Sequence, residues 1–148
     1  MENYIINNKT VAILKKKNKT VIYDVEKVRV INKNINKVLE DNCNFYGSSL
    51  SGRKKSAKNI LNIKYKAPLI ITNNVILLQI NNIRNEECLF LVLNKIIDYK
   101  YEGENLKILC VNKLIFKLNI SKSSFEKMLI KAIKLDNILK WKKSLNFV

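Results

Sequence analysis

The chain has 148 residues and a formal charge of +16, from 28 lysine and arginine residues against 12 aspartate and glutamate residues, and it contains no histidine. The absence of histidine excludes Ser-His and Cys-His nucleophile pairs and the usual zinc hydrolase site. The positive charge favours a polyanionic partner such as nucleic acid. Asparagine, isoleucine and lysine all have AT-rich codons, so base composition accounts for part of the lysine excess.

The length predicts one domain over residues 1–148, which can bury a core without disulfides or a metal. No apolar run reaches about 18 residues, the length of a membrane-spanning helix, and the start, MENYIINNKT, lacks the pattern of a signal peptide. Cys43, Cys88 and Cys110 lack the CxxC spacing of a zinc site, and their odd number does not favour a disulfide framework. We therefore expect a cytoplasmic protein with buried, reduced thiols, no metal, no cofactor and no contact with a membrane.

The first part of the chain predicts extended structure. Strands are expected at YII (4–6), TVAILK (10–15) and TVIYDVEKVRVI (20–31), with a turn at KKKNK (15–19). In the third segment successive side chains alternate in the period-2 pattern of a half-buried strand. The segment NINKVLEDN (34–42) instead predicts a short helix with Ile35, Val38 and Leu39 on one face.

The middle of the chain also favours strands. Alternating side chains predict a strand at NILNIKYK (59–66), and two adjacent asparagines predict a hairpin turn at Asn73–Asn74 within LIITNNVILLQI (69–80). Further strands are expected at CLFLVLN (88–94) and KIIDYKY (95–101), followed by a hairpin in ILCVNKLIFKLNI (108–120) that turns at Asn112–Lys113.

From Ser121 onward the pattern changes to that of an amphipathic helix. Ser123 and Glu126 have the spacing of a capping box. The predicted apolar face carries Phe125, Met128, Leu129, Ala132, Ile133, Ile138 and Trp141, and the opposite face carries Lys127, Lys131 and Lys134. These lysines form either a solvated surface or a face that binds phosphates or a partner. The predicted fold class is α+β, mainly antiparallel β strands with a C-terminal amphipathic α-helix and short helical segments around the central basic motif.

The central basic motif is NFYGSSLSGRKKS, residues 44–56, which holds two of the three glycines of the chain. Its candidate binding residues are Arg53, Lys54, Lys55 and the following Lys58 for charge, with Gly47, Ser48, Ser49 and Gly52 shaping the approach of a partner. Glycine permits close backbone approach, serine hydroxyls can donate to phosphate oxygens, and the arginine fork suits phosphate or a groove edge. The motif lacks the GK[ST] of a phosphate loop. It is either a nucleic-acid-binding element or a flexible surface loop with a solvated charge cluster.

Two neighbouring features of the motif have structural interpretations. Phe45 and Tyr46 are predicted to be packing anchors rather than wedges between DNA bases. Glu40 and Asp41, just before the motif, are interpreted as solvated charges or partners of lysines. With so few carboxylates and no histidine, catalysis is not expected.

The run C-x-F-Y-G-S-S-x-x-G-R-K, from Cys43 to Lys54, resembles the signature of the ComK competence transcription factors of low-GC Gram-positive bacteria. That family has Cys-Arg-Phe-Phe-Gly-Ser-Ser followed by Gly-Arg-Lys. Pro68 with its neighbours resembles the family's Pro-Pro-Ile, Cys88 resembles the cysteine before its central strand, and the segment from Ser123 resembles its Ser-Phe-Glu helix start. The resemblance covers most of the chain.

The chain also departs from the family pattern. Asn44 stands where the family has arginine, Lys55–Ala57 replace an Ala-Gly-Thr-like continuation, and Ala67 replaces the first proline. The segment LFLVLN after Cys88 lacks the family's Gly-Trp-Ile-Ser-His. These departures put the exact DNA preference in question, and Asn44 removes one positive charge from the motif.

The resemblance implies an activator of competence genes that binds double-stranded, AT-rich DNA as a homodimer or higher homo-oligomer, largely through the minor groove. Narrow A-tract minor grooves attract inserted cations, while flanking lysines neutralise phosphates. The alternative is a divergent family member that acts as a protein-interaction module or regulator partner without specific DNA binding. A small-molecule substrate is not expected.

Overall fold

A computed structural model describes residues 3–80 and 87–145, apart from the side chain of Glu87. In chain order the elements are β1 (Thr10–Lys16), β2 (Lys19–Asp24), β3 (Val28–Ile31), α1 (Ile35–Phe45), α2 (Leu50–Leu61), β4 (Leu69–Thr72), β5 (Val75–Gln79), β6 (Glu87–Val92), β7 (Ile96–Glu102), β8 (Asn105–Cys110), β9 (Ile115–Leu118) and α3 (Lys122–Leu145). Single 3-10 turns at Leu93–Lys95 and Val111–Lys113 precede β7 and β9. The predicted α+β class, with antiparallel strands and a C-terminal helix, is confirmed.

The larger sheet has six antiparallel strands in the order β3-β2-β1-β6-β5-β4. Its central strands are apolar on both faces, because both faces are covered. Ile71, Leu77 and Phe90 pack on one side together with α1, while neighbouring residues such as Ile70 and Leu78 pack on the other side. A near-continuous apolar run is what a doubly covered strand requires.

The second face of this sheet is covered by a smaller sheet and by α3. Strands β7, β8 and β9 form that three-stranded antiparallel sheet. Its inner residues, including Leu106 and Ile108, share one core with Phe125 and Leu135 of α3. The hairpin turns predicted at Asn73–Asn74 and Asn112–Lys113 both lie between the expected strands.

Helix α2 occupies the β4 edge of the larger sheet. It contacts β4, α1 and α3, and its buried residues Ala57 and Leu61 join the core beneath α3. Leu50, at its start, packs instead against the core beneath α1. The helix therefore covers an edge that would otherwise expose unpaired backbone groups.

The N-terminal segment is held by buried polar groups rather than by strand pairing, so the strand predicted at residues 4–6 is wrong. The Tyr4 hydroxyl lies 2.7 Å from Thr10 Oγ1 and donates to Asp24 Oδ2 at 3.2 Å. Asn42 of α1 accepts from the backbone amide of Ile6 at 2.7 Å and donates to the Tyr4 carbonyl at 3.0 Å. These side chains satisfy backbone groups that a strand would have paired.

Two other strand predictions are wrong. Residues 20–31 form two strands instead of one, because the chain bends after Asp24, whose side chain accepts from the Glu26 amide at 2.7 Å. Residues 59–66 contain no strand, since Ile60 and Leu61 belong to the last turn of α2. Alternation over so few residues also fits one edge of a helix, and packing decides between the two.

The α3 predictions are confirmed in part. Ser121, not Ser123, caps the helix by accepting from the Ser124 amide at 3.1 Å, and Glu126 accepts from the Tyr99 hydroxyl at 2.7 Å instead of closing a capping box. Phe125, Met128 and Ala132 are buried as predicted. Ile133 and Trp141, expected on the same face, are exposed.

Candidate nucleic-acid interface

The central basic motif folds as the junction between two helices, not as a flexible loop. Helix α1 begins at the predicted segment because Asn34 accepts from the Lys37 amide at 2.9 Å, and Ile35, Val38 and Leu39 are buried as predicted. At its other end, the Gly47 amide donates to the Asn44 carbonyl at 3.0 Å and the Ser48 amide to the Cys43 carbonyl at 2.9 Å. This pair of bonds is a Schellman motif. Gly47 occupies its left-handed position, with φ of 83°.

Helix α2 begins three residues after Gly47, and its N-cap explains the serine and the second glycine. Ser49 has an extended backbone, and its Oγ accepts from the Gly52 amide at 3.0 Å. A Cβ built at Gly52 would lie 2.9 Å from that Oγ. Since real Cβ atoms do not approach so closely, a side chain at this position would disturb the cap. The absence of a side chain at Gly52 therefore leaves room for the Ser49 hydroxyl that caps the helix.

The C-terminal end of α2 is also encoded locally. Asn62 has φ of 54°, its amide donates to the Asn59 carbonyl at 3.2 Å, and the Ile63 amide donates to the Lys58 carbonyl at 3.0 Å. This is a second Schellman motif, with asparagine in the left-handed position. It ends the helix inside the segment that alternation had predicted as a strand.

Two side chains hold α2 against α1. The Glu40 carboxylate accepts from the amide of Leu50, the first residue of α2, at 2.8 Å. Arg53 reaches back in the other direction, and its Nη2 donates to the Tyr46 carbonyl at 3.5 Å. A carboxylate at a helix N-terminus satisfies an unpaired amide and interacts favourably with the helix dipole. The interpretation of Glu40 as a solvated charge or lysine partner is wrong, and no local pattern in the sequence pairs it with Leu50.

Asp41, in contrast, is a lysine partner as predicted. Its carboxylate lies 2.9 Å from Lys37 Nζ and 3.3 Å from Lys33 Nζ. The hydrogen bond from Lys37, reinforced by Lys33, holds the pKa of Asp41 below its usual range, although partial desolvation opposes this shift. These acid–lysine contacts neutralise positive charge near the start of α1.

The lysines of α2 differ from Lys33 and Lys37, because they form no ion pair with a carboxylate of the described residues. Lys54 and Lys55 are exposed and Lys58 is half-buried. Within residues 3–80 and 87–145, none of the three lies within 4.0 Å of a carboxylate oxygen. Burial raises the pKa of the Cys43 thiol, while the positive charges of Arg53 and Lys54 act to lower it. The α2 surface is therefore electropositive.

The structure thus separates the eight predicted site residues into two groups. Lys54 and Lys55 are exposed and Lys58 is half-buried, and these three residues carry the charge of the α2 surface. The others shape the helix junction: Gly47 ends α1, Ser49 and Gly52 start α2, and Ser48 closes the Schellman motif with its backbone amide. Arg53 is half-buried, and its Nε is enclosed with no hydrogen-bond partner among the described residues. Its fork does not point freely outward.

The two aromatic residues of the motif, Phe45 and Tyr46, also differ in burial. Tyr46 is half-buried and its hydroxyl donates to the Ile6 carbonyl at 2.6 Å, which confirms it as a packing anchor. Phe45 is 62% exposed and touches Tyr46 edge-to-face, with ring centroids 5.0 Å apart. The prediction that Phe45 is a packing anchor is therefore wrong. Phe45 follows the buried Cys43 by two positions, and this spacing places it on the outer side of α1.

Three other features bear on the kind of site. Cys43, Cys88 and Cys110 are buried free thiols, as predicted. Among the residues that the structure describes, no group of three or more His, Cys, Asp or Glu side chains could hold a metal ion. In the same part of the chain, no helix is both long enough and apolar enough to cross a membrane.

The sequence model of the ComK protein family matches residues 1–144. This chain belongs to the ComK family. Among curated proteins, the competence transcription factor of Bacillus subtilis (strain 168) is 25% identical over 133 residues, covering 85% of this chain and 69% of that relative. No solved structure matches the chain. The family resemblance of the Cys43–Lys54 motif is thereby confirmed.

In this ComK-family chain, the motif forms one structural unit. Its Cys43 is buried in the last turn of α1, its Gly-Ser-Ser segment is the turn and cap, and its Gly-Arg-Lys segment lies in the first two turns of α2. Asn44, the main departure within the motif, is exposed on α1 beside Phe45. The two helices are therefore joined by a four-residue turn that contains glycine.

Proposed function

We propose that this chain is a DNA-binding transcription factor that activates competence genes and contacts AT-rich duplexes with α2. Its membership in the ComK family and its relative named as a competence transcription factor support the regulatory role. The observation that carries the DNA contact is the row of α2 lysines that have no carboxylate oxygen within 4.0 Å among the described residues, next to the turn in which Gly47 adopts a left-handed backbone conformation. The positive charge of the whole chain, +16, would accelerate association with a polyanion.

In this proposal, Lys54, Lys55 and Lys58 make the phosphate and minor-groove contacts. The narrow minor groove of AT-rich DNA has an enhanced negative potential, which attracts inserted cationic side chains. Arg53 contributes charge while holding the junction through Tyr46. Gly47, Ser48, Ser49 and Gly52 allow the backbone at the start of α2 to approach the duplex.

Three further statements belong to the proposal. The chain acts as one domain over residues 1–148, it binds duplex DNA as a homodimer or higher homo-oligomer, and it works in the cytoplasm, where a bacterial chromosome is accessible. Binding of two copies would match a target with two AT-rich half-sites, since a symmetric protein suits repeated half-sites.

The test measures affinity for three duplexes at several salt concentrations: one AT-rich, one GC-rich, and one in which inosine–cytosine pairs replace the A·T pairs. Inosine lacks the guanine N2 amino group, so an inosine–cytosine pair presents the A·T pattern in the minor groove and the G·C pattern in the major groove. We expect the AT-rich and inosine duplexes to bind alike and more tightly than the GC-rich duplex.

A matched pair of variants assigns the contact to α2. The triple substitution Lys54→Ala, Lys55→Ala, Lys58→Ala should flatten the salt dependence by about 2.7 log units of affinity per log unit of salt, at about 0.9 for each phosphate contact. Replacing the three α3 lysines, Lys127, Lys131 and Lys134, removes the same charge but should leave most of the salt dependence of DNA affinity unchanged. Equal losses would mean that only total charge matters.

Two results would refute parts of the proposal. If AT-rich and GC-rich duplexes bind equally weakly, specific DNA recognition is absent and the protein-interaction alternative becomes the better account. If the inosine duplex binds like the GC-rich duplex, the protein reads the major groove, as the second helix of a helix-turn-helix unit does.

A further inference from the structure

Helix α3 carries apolar side chains on two opposite sides. Its inner side, with Phe125, Met128, Ala132 and Leu135, is buried in the core. Its other side carries Ile130, Ile133, Trp141 and Leu145, which are 65%, 44%, 61% and 49% exposed. We call these four residues the outer stripe. A surface helix that only closes a core is polar on its outward side.

The outer stripe runs along the helix axis as two apolar pairs, Ile130 with Ile133 and Trp141 with Leu145, with Lys134 and Asn137 between the pairs. Ile130 and Trp141 are eleven residues apart, which is close to three helical turns, so they lie almost above one another. Ile133 and Leu145 flank this line, and the stripe from Ile130 to Leu145 is about 22 Å long. That length is enough for four turns of a second helix packed alongside.

The charge along the stripe is strongly positive. Helix α3 contains seven lysines and two acidic residues, a net charge of +5. Both acidic residues are already engaged, since Glu126 accepts from Tyr99 and Asp136 pairs with Lys140 at 2.8 Å. Lys127, Lys131 and Lys134 border the stripe, and in the part of the chain that the structure describes none of them is within 4.0 Å of a carboxylate.

We propose that the outer stripe binds an acidic amphipathic helix of a partner protein, a contact distinct from the DNA surface of α2. Apolar residues at helical spacing on the partner would cover Ile130, Ile133 and Trp141, and its flanking carboxylates would pair with the bordering lysines. A second copy of α3 would bring a charge of +5 against another +5. Duplex DNA would satisfy the lysines but offers no matching apolar surface.

The chain contains its own reporter for this site. Trp141 is the only tryptophan in the sequence, and it lies within the outer stripe. Its fluorescence emission therefore moves to shorter wavelength when the stripe is covered by apolar groups. Events at α2 or at the sheets contribute no tryptophan signal of their own.

The experiment titrates the full chain with a synthetic acidic peptide of about four helical turns, with leucine on one side and glutamate on both flanks. We expect a saturable blue shift of Trp141 emission with this peptide. A scrambled peptide of identical composition, which cannot form an apolar side, should produce no shift.

Two substitutions locate the contact. Ile130→Glu, which keeps Trp141 and replaces an exposed residue, should weaken peptide binding by about tenfold or more, as expected for a buried anchor. Val30→Glu is the matched control, because Val30 is 58% exposed on β3 and lies outside the stripe. The control should bind the peptide like the unmodified chain, and thermal unfolding verifies that both variants are folded.

Four other outcomes of these titrations would refute the proposal. A blue shift on raising the protein concentration alone would identify a second copy as the occupant, and a shift with anionic phosphatidylglycerol vesicles but not with the peptide would identify a lipid surface. Equal shifts with the scrambled peptide or with an AT-rich duplex would show binding by charge alone. No shift with the peptide would also refute the proposal.

This test is independent of the DNA test. Replacing Lys54, Lys55 and Lys58 should weaken DNA binding and leave the peptide titration unchanged. Replacing Lys127, Lys131 and Lys134 should weaken peptide binding and leave most of the DNA binding unchanged. A failure of either proposal would therefore leave the other intact.

Discussion

Substitutions of Ser49 separate the structural role of the α2 N-cap from its proposed proximity to DNA. Ser49→Ala removes the acceptor for the Gly52 amide, and loss of an N-cap costs about 1 kcal/mol in the free energy of unfolding. For a chain of this size, that cost corresponds to a decrease of about 2–4 °C in Tm. Ser49→Asn and Ser49→Asp keep a side-chain oxygen that can accept from Gly52, so both should retain stability.

The two retained caps differ in charge, and DNA binding should distinguish them. Aspartate stabilises the helix N-terminus through its dipole but places a negative charge where the duplex is proposed to lie. Ser49→Asp should therefore lose about one phosphate contact, which lowers the salt slope of DNA affinity by about 0.9. Ser49→Asn should bind DNA like the unmodified chain.

Urea unfolding and duplex titration are the two assays for this series. If Ser49→Asp binds DNA as tightly as Ser49→Asn at low salt, the start of α2 does not face the duplex. If Ser49→Ala unfolds at the same urea concentration as the unmodified chain, the cap seen in the structure contributes no measurable stability.

Three other predictions follow from named contacts. Arg53→Ala should lower the free energy of unfolding by about 1 kcal/mol through the lost bond to Tyr46, whereas Lys55→Ala should change it by less than about 0.5 kcal/mol; urea unfolding compares them. Burial raises the pKa of Asp24, but hydrogen bonds from the Glu26 amide and the Tyr4 hydroxyl outweigh it and leave that pKa low. Stability from Asp24 is therefore present above its unfolded pKa of about 3.9 and lost as pH falls below it, so Asp24→Asn should flatten the acid limb of unfolding. Burial raises the pKa of Cys110 to about 11, so iodoacetamide at neutral pH should modify it only after unfolding; rapid modification of the native chain, measured by mass, would contradict its burial.

Features with local causes were predictable from the sequence. Helix α1 was recognised from the spacing of Ile35, Val38 and Leu39, and the hairpin at Asn73–Asn74 from residues that tolerate tight turns. The family signature from Cys43 to Lys54 marks the candidate site in the sequence alone. Each of these depends on neighbouring residues in the chain.

Other features were missed because their partners are distant in sequence. The contact of Asn42 with Ile6 spans 36 residues, and that of Tyr99 with Glu126 spans 27. No periodicity marks such pairs. The capping box expected at Ser123 failed for this reason: the carboxylate of Glu126 finds a phenol on another element, and Ser121 caps the helix instead.

The sequence by itself determined the charge of the chain, the absence of histidine, the antiparallel strands with their hairpins, and the motif that carries the family identity. Those properties depend on composition and on short-range steric preferences. Only the tertiary structure decided that the motif is a helix junction, that Arg53 turns back toward Tyr46, and that α3 carries exposed apolar side chains opposite its buried side. The reason is physical: which side of a helix is buried depends on the surfaces that surround it, and a helical repeat alone does not say which of two apolar sides meets the core.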